Sequence, residues 1–484
     1  MLKNTVKPTI TEALIPVVFL IVLLFFNVNI FDDTLKGPNQ IVLLLSGALA
    51  GLLAVRRKIS WKVLQRGILH SINSAMGSIL ILLLIGSLAG TWMISGIVPA
   101  MIYYGLEILS PTFILVVSVV ICAIVSLATG SSWTTVATVG LALIGIGRAL
   151  GVDDGLMAGA IISGAYFGDK ISPLSDTTNL APAMAGTDIF THIRYMMLTT
   201  IPSLVITLII FLIIGFRISV TNDIPNIQPV LDALSGTFNI NLWLFIVPVL
   251  VIVMIAKRIP AIPVLLAGSL LGGIFAIVFQ PEVVAGISDI VGRPVKSAYI
   301  AVISAMYGEV SIVTGNVMVD NLLTSGGMAG MLNTIWLILS AMVFGGIMDA
   351  GGMLNRISEV IIGFARSTGS LVASTAASCL FFNVTASDQY LAIVVPGKMF
   401  EKIYKERGLA PENLSRTLED AGTVTSVLVP WNTCGATQSS VLGVATLTYA
   451  PFAFFNIISP FMTVFVAYAG IKIKKLKQGE PYEQ

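Results

Sequence analysis

Charge is what this chain has least of. Lys, Arg, Asp and Glu make up 11% of its 484 residues, against roughly 25% in a soluble globular protein. Twenty-seven basic and 25 acidic side chains cannot clothe the several water-facing domains that such a length would otherwise suggest. The net charge of +2 leaves no basic excess for a nucleic-acid partner. Cysteine is nearly as scarce: Cys122, Cys379 and Cys434 lie in apolar runs, at spacings that serve neither zinc nor a disulfide framework. Two histidines, His70 and His192, are too few for a catalytic metal cluster. No Ser–His, HExxH or paired catalytic constellation appears, which argues against an intramembrane enzyme. What the chain does hold is apolar: 56% of it is hydrophobic, with a mean hydropathy of +0.94.

A spanning helix needs about 20 mostly apolar residues, and runs of that kind recur from residues 13–30 to residues 450–470. Several are shorter. The expectation is an all-α polytopic membrane protein with about ten or eleven spans plus re-entrant or broken pieces. Glu12 interrupts the first apolar run and no small-residue cleavage site follows, so that run reads as a retained span. The longest polar stretches, around 216–239, 280–297 and 401–416, read as linkers. Lys472, Lys474, Lys475 and Lys477 read as a basic juxtamembrane end, solvated or resting on anionic lipid head groups.

The most informative feature is self-similarity. Thr129-Gly-Ser131-Ser132 interrupts one pair of apolar runs, and Thr385-Ala-Ser387-Asp388 interrupts another 256 residues later. Pro173 and Asp176 in ISPLSDTTN match Pro430 and Asn432 in LVPWNTCGA at offsets of 257 and 256. Met93 and Gly96 match Met348 and Gly351 at 255. We therefore expect repeat 1 over about 71–215, repeat 2 over about 331–470 and linking spans over 216–330. Unwound backbone is tolerated at membrane depth only where it lines a cavity or is buried in protein. Matched breaks in two halves thus point to a substrate site between the repeats. The plainer alternative is a set of polar loops at the membrane surface.

Pro173 removes a backbone donor and opens the helix near Ile171–Ser175. Ser175, Asp176, Thr177, Thr178 and Asn179 then follow as consecutive oxygen-bearing side chains. A hard cation such as sodium takes oxygen ligands, and Asp176, Ser175, Thr177 and Asn432 are the expected ligand set. Ionisable groups at this depth mark ion pathways or proton relays. Asp176 is the first candidate to trade a proton for a cation and Asp169 the second, unless Lys170 neutralises Asp169 in a structural pair. Asn179, Thr433, Thr129, Ser131, Thr385, Ser387 and Asp388 complete the candidate cation and proton site. In the second half Asn432 takes the place of Asp176, offering a carbonyl oxygen but no proton. Glu419 and Asp420 read as helix-end or interfacial acids, with membership of a proton relay the alternative, and His192 with Arg194 as an interface marker, with a pH-sensing His192 the alternative.

The stretch SGAYFGDKISPLSDTTNLAPAMAGTDIFTHIRYM (163–196) closely resembles the signature region of the NhaC family of sodium–proton antiporters. GTWMISGIVPAMIYYGLEILSP (90–111) is similar to the same family. The resemblance implies two inverted repeats, each with a re-entrant helical hairpin and a broken transmembrane helix. Hairpin tips would fall at Thr129–Ser132 and Thr385–Asp388, and breaks at Ser172–Asn179 and Pro430–Gly435. It also implies a homodimer, an elevator-like transport domain and multi-pass residence in the cell membrane. The activity expected is exchange of sodium ions for protons, with no cofactor beyond the transported ions. The same family region occurs in malate–proton/sodium–lactate antiporters, and this is the alternative. An organic anion calls for a cationic side chain, and Lys170 is the obvious one near the first break.

Overall fold

In the computed structural model, residues 7–31, 34, 36–221, 227–288 and 293–476 are described. They are mostly helical, and a two-stranded ribbon pairs Val310–Ser311 with Thr324–Ser325. Hydrocarbon offers no partner to a backbone amide, so a helix, which satisfies its own, is the form the apolar runs must take. Among the described residues, six helices are long and apolar enough to cross a membrane, and up to eight if two bent pairs each count as one span. The expected ten or eleven crossings also counted shorter apolar pieces, such as Ile97–Ile108 and Ile114–Thr129. The chain is a multi-pass membrane protein.

Its surface and interior are apportioned as a bilayer requires. Phe25, Ile30, Ile124, Phe190 and Phe465 are each more than 60% exposed on the outside, where lipid replaces water. Ser, Thr and Asn side chains are buried inside. Along the helix Ile189–Thr221, Thr200, Ser203 and Thr207 each donate to the carbonyl four residues back, which hides their hydroxyls. Close packing rests on small residues, since no hydrophobic drive brings helices together in lipid. A Cβ on Gly164 or Gly168 would lie 2.2 Å from the Val119 carbonyl or 2.3 Å from that of Ala123. These glycines let the helix Asp154–Ile171 lie directly on Ile114–Thr129.

The two halves correspond element by element. A first hairpin runs through Ile114–Thr129, turns at residues 130–131 and returns from Ser132 to Ala149. A second runs through Thr368–Thr385 and returns as Leu391–Glu406. The first broken span is Asp154–Ile171 followed by Asp176–Ala185. The second comprises Pro411–Leu418, a π-turn at Glu419–Thr423, a short 3₁₀ turn at Ser426–Leu428 and then Thr433–Leu442. Left-handed glycines end the two downstream pieces, Gly186 and Gly443, 257 residues apart. Gly96 and Gly352, also left-handed, open matching helices 256 residues apart.

Part of one stretch read as a linker, and the basic tail, prove structural. Residues 411–418 are buried helix, because their polar groups pack against other polar interior residues rather than water. The basic tail is docked on that segment: Lys474 Nζ lies 3.0 Å from Glu412 Oε1, and Leu476 N–H donates to the Gly408 carbonyl. Lys477 lies outside the described residues. The three cysteines are free and buried.

Candidate functional site

Pro173 opens the first broken span, and the residues after it close the gap with their own side chains. Ser175 caps the helix Asp176–Ala185. Asn179 donates from Nδ2 to the carbonyls of Pro173 at 3.0 Å and Ser175 at 2.7 Å. Thr178 donates to the carbonyls of Asp169 and Lys170, the last turn of the upstream helix. These carbonyls already accept hydrogen bonds. The oxygens left facing open space are mainly carboxylates and hydroxyls.

That space is a cavity of about 620 Å³. The first hairpin tip contributes Thr129 and Ser131, and the first break contributes Asp169, Ser175, Asp176, Thr177 and Asn179. Gln389, Tyr390 and Thr433 enter from the second half, and Arg258 from the linking region. Asp176 is exposed to the cavity and begins its helix, where the helix dipole favours a negative charge. Tyr390 Oη–H approaches Asp176 Oδ2 at 3.4 Å. Asp169 is buried at the edge of the same cavity. Its Oδ2 accepts from the Ser132 N–H at 3.1 Å and the Ser132 hydroxyl at 2.7 Å, just past the first tip. Two carboxylates thus share one cavity, each at a helix N-terminus.

The second half is engaged differently. Asn432 aligns with Ser175 rather than Asp176, since both are N-caps and lie 257 residues apart. Asp176 then aligns with Thr433, which is the residue that reaches the cavity. The caps and the prolines Pro173 and Pro430 share the offset of 257, so only the match of Asp176 with Asn432 is out of register by one residue. Asn432 is fully buried, accepts from Cys434 N–H and donates twice to Asn383. Thr385 donates back to the Phe381 carbonyl, and Asp388 accepts from Leu391 N–H as a helix cap. Ser387 sits at φ 59°, and its carbonyl accepts from Thr433 N–H.

Several residues that matter here escaped the sequence reading. Lys170 does not neutralise Asp169; its ammonium is fully buried against Asp420 of the second half. Asp420 also accepts from Thr199 at 2.8 Å. Glu419 and Asp420, expected at a helix end or interface, are fully buried, and Thr177 donates to Glu419 Oε1 at 3.0 Å. His192 is likewise interior, its Nδ1 2.8 Å from Ser415 Oγ. The available signal was the pair of adjacent acids in a chain so short of charge. Arg258 gave none, because it lies far from either break in sequence.

A helical membrane protein with matched broken spans around a polar, carboxylate-lined cavity is built as a secondary transporter is. A match to the Na+/H+ antiporter family spans residues 164–471, and the chain belongs to that family. The Na(+)/H(+) antiporter NhaC of Alkalihalophilus pseudofirmus is 41% identical over 91% of this chain and 92% of its own length. NhaC of Bacillus subtilis is 38% identical over 84% and 87%. The malate-2H(+)/Na(+)-lactate antiporter of Bacillus subtilis is also 38% identical, over 97% and 96%.

Proposed function

We propose that this chain is a secondary antiporter that exchanges sodium ions for protons across the cell membrane. The observation that carries this reading is the pairing of Asp169 and Asp176 with the hydroxyls of Thr129, Ser131, Ser175 and Thr177 around one cavity. Oxygen ligands of this kind suit a hard cation. A carboxylate that either helps hold the cation or holds a proton makes the two mutually exclusive, which is the minimum for exchange. Asp176 takes that role, being the acid most open to the cavity, and Asp169 supports it. No resident cofactor is needed, and the activity is transport rather than catalysis.

The paired caps and left-handed glycines support two repeats over about 71–215 and 331–470, with linking spans between. The first boundary falls inside the helix Trp61–Ile94, so the repeat begins partway along a continuous element. The inverted relation of the repeats, the elevator-like movement and the homodimer belong to the same reading, on the strength of the family.

Purified Asp176→Asn in proteoliposomes should lose sodium-driven proton movement while wild type retains it. Full exchange by the variant removes Asp176 from the mechanism. A second reading, exchange of a small hydroxy acid, is favoured by Arg258 in the cavity lining. It requires that malate or lactate stimulate sodium flux in the same vesicles and that Arg258→Gln abolish that stimulation. No stimulation by either anion eliminates it.

A further inference from the structure

We infer that the cavity opens through a cationic surface that binds anionic phospholipid head groups, and that this surface is the cytoplasmic one. This holds whichever solutes the cavity exchanges.

Contacts between distant segments define which of them share one end of the molecule. Lys7 Nζ pairs with Glu359 Oε1 at 2.9 Å, and Arg57 Nη2 donates to the Gly351 carbonyl at 2.9 Å. Arg407 donates to the Ala365 carbonyl. The tail bonds through its backbone to Gly408 and Ala410, and the Lys472 carbonyl accepts from Tyr195 Oη–H at 3.0 Å. These contacts join the helix ends into one surface. Arg56, Lys58, Arg194, Arg366, Lys472 and Lys475 are exposed on it. Arg194, Arg366, Lys472 and Lys475 have no ion-pair partner among the described residues. The acids of this end are largely engaged, Glu359 by Lys7 and Arg356, Glu406 by Lys402 and Glu412 by Lys474. The opposite end, around Asn239 and Gln280, is mixed in sign. There Glu107, Asp232 and Glu282 occur with Arg293 and Lys296.

Aromatic side chains fix the depth of the bases. Trp61, Phe190, Phe364 and Tyr468 are 59%, 70%, 67% and 63% exposed. Each lies within four residues of one of the exposed bases, namely Lys58, Arg194, Arg366 and Lys472. Aromatic rings collect at the boundary between hydrocarbon and head groups. The neighbouring cations therefore stand at head-group level, where a lipid phosphate offers the counter-charge that the protein does not.

The cavity opens at this same end. The helices Ile246–Ala256 and Ala261–Phe279 rise from the opposite end, where Asn239 N–H donates to Gln280 Oε1 and Gln280 Nε2 donates to the Asn239 carbonyl. They wall the cavity from that side, and their turn at 257–260 overlooks its mouth with Lys257 and Arg258 exposed. From Asp176 in the cavity, the helix Asp176–Ala185 leads out toward Tyr195 and the tail. Lys and Arg near span ends favour the cytoplasmic side, and the cytoplasmic leaflet carries the anionic lipids. Both rules place this end inside the cell, so the cavity meets cytoplasmic solutes in this arrangement.

Cysteine labelling tests the side. The three native cysteines are free and buried, so Lys475→Cys, Lys257→Cys and Glu282→Cys each add one exposed thiol to the full-length protein. A membrane-impermeant maleimide should label the first two in inside-out vesicles and spare them in intact cells, with the reverse for Glu282→Cys. Labelling of Lys475→Cys or Lys257→Cys in intact cells overturns the assignment. The lipid contact is read from melting of the detergent-purified protein with added phosphatidylglycerol, phosphatidylcholine or inorganic phosphate. Phosphatidylglycerol should raise the melting temperature by about 3 °C more than phosphatidylcholine does, and inorganic phosphate should leave it unchanged. Replacing Arg194, Arg366, Lys472 and Lys475 together by Gln should remove most of that difference. Equal responses to the two lipids overturn the contact, as does a full difference in the fourfold variant. A rise with inorganic phosphate as large as that with phosphatidylglycerol also overturns it, since a free anion then suffices.

Discussion

In the first break Ser175 caps one helix, Asp176 faces the cavity and Pro173 is clamped by Asn179. In the second break Asn432 caps the matching helix, and its other contacts go to Asn383 inside the protein. The two segments share their caps, their spacing and the glycine that ends the helix. They differ in where the polar side chains point. One presents oxygens to a cavity, while the other binds its oxygens to itself. One backbone device occurs twice, and the chemistry differs between the two occurrences. The cavity carboxylates belong to the first half, and the buried acids Glu419 and Asp420 to the second. Thr177 to Glu419 and Lys170 to Asp420 are the contacts that join these two sets.

The largest effect is expected where the comparison is bridged. Asp420→Asn leaves the Lys170 ammonium buried without its counter-charge, a change that typically costs about 3–5 kcal/mol. The melting temperature of the detergent-purified protein should fall sharply. Replacing both partners, as Lys170→Met with Asp420→Leu, should recover only part of the loss, because the buried Arg416 guanidinium, 4.0 Å from Asp420, still loses that carboxylate. An Asp420→Asn protein that melts with wild type would mean that the pair does not hold the halves together.

Next comes the contrast between the caps. Asn432→Ala removes a cap and two further hydrogen bonds in a fully buried place, for roughly 2–4 kcal/mol. Ser175→Ala removes a cap beside an open cavity, where water can replace the lost partner, for about 1 kcal/mol. The order of the two melting temperatures tests whether the second break is the more rigid. Equal losses would remove the distinction drawn between them.

Much of this was legible in the sequence, and the reasons are physical. Proline at a break, a run of oxygen-bearing residues and a fixed offset between halves are local signals, and they located the opening near Ile171–Ser175 and the Thr129–Ser132 tip. The register of the second break was displaced by one residue. Matching Asp176 with Asn432 uses an offset of 256, whereas the prolines and the caps Ser175 and Asn432 both keep 257. Glu419, Asp420 and Arg416 were harder to place. Polar residues near 401–416 look like a linker by composition, and only tertiary contacts reveal that this segment packs inside the protein. Arg258 comes to the cavity from the end of a helix in the linking region, a juxtaposition no local pattern encodes.

The smallest effects are expected at the hairpin tips, where the same turn is made by different residues. Gly130 adopts φ 66° in the first tip and Ser387 adopts φ 59° in the second. A left-handed conformation costs a residue with a Cβ roughly 1–2 kcal/mol relative to glycine. Part of that is returned because glycine loses more backbone freedom on folding. Ser387→Gly should therefore stabilise by about 0.5 kcal/mol, and it also removes a buried hydroxyl that has no partner among the described residues. The Thr433 N–H bond goes to the Ser387 backbone carbonyl and survives the change. Gly130→Ala runs the other way. A Cβ there would meet both the carbonyl carbon and the Cβ of Leu174 at 2.6 Å, so the tip must move off the first break as well as bear the backbone cost. A loss of about 1–2 kcal/mol is expected from the conformation alone. Opposite signs for the two substitutions in matched melts would show that the tips share a backbone conformation under different local constraint. A gain at both sites would mean that the first tip is not held against Leu174.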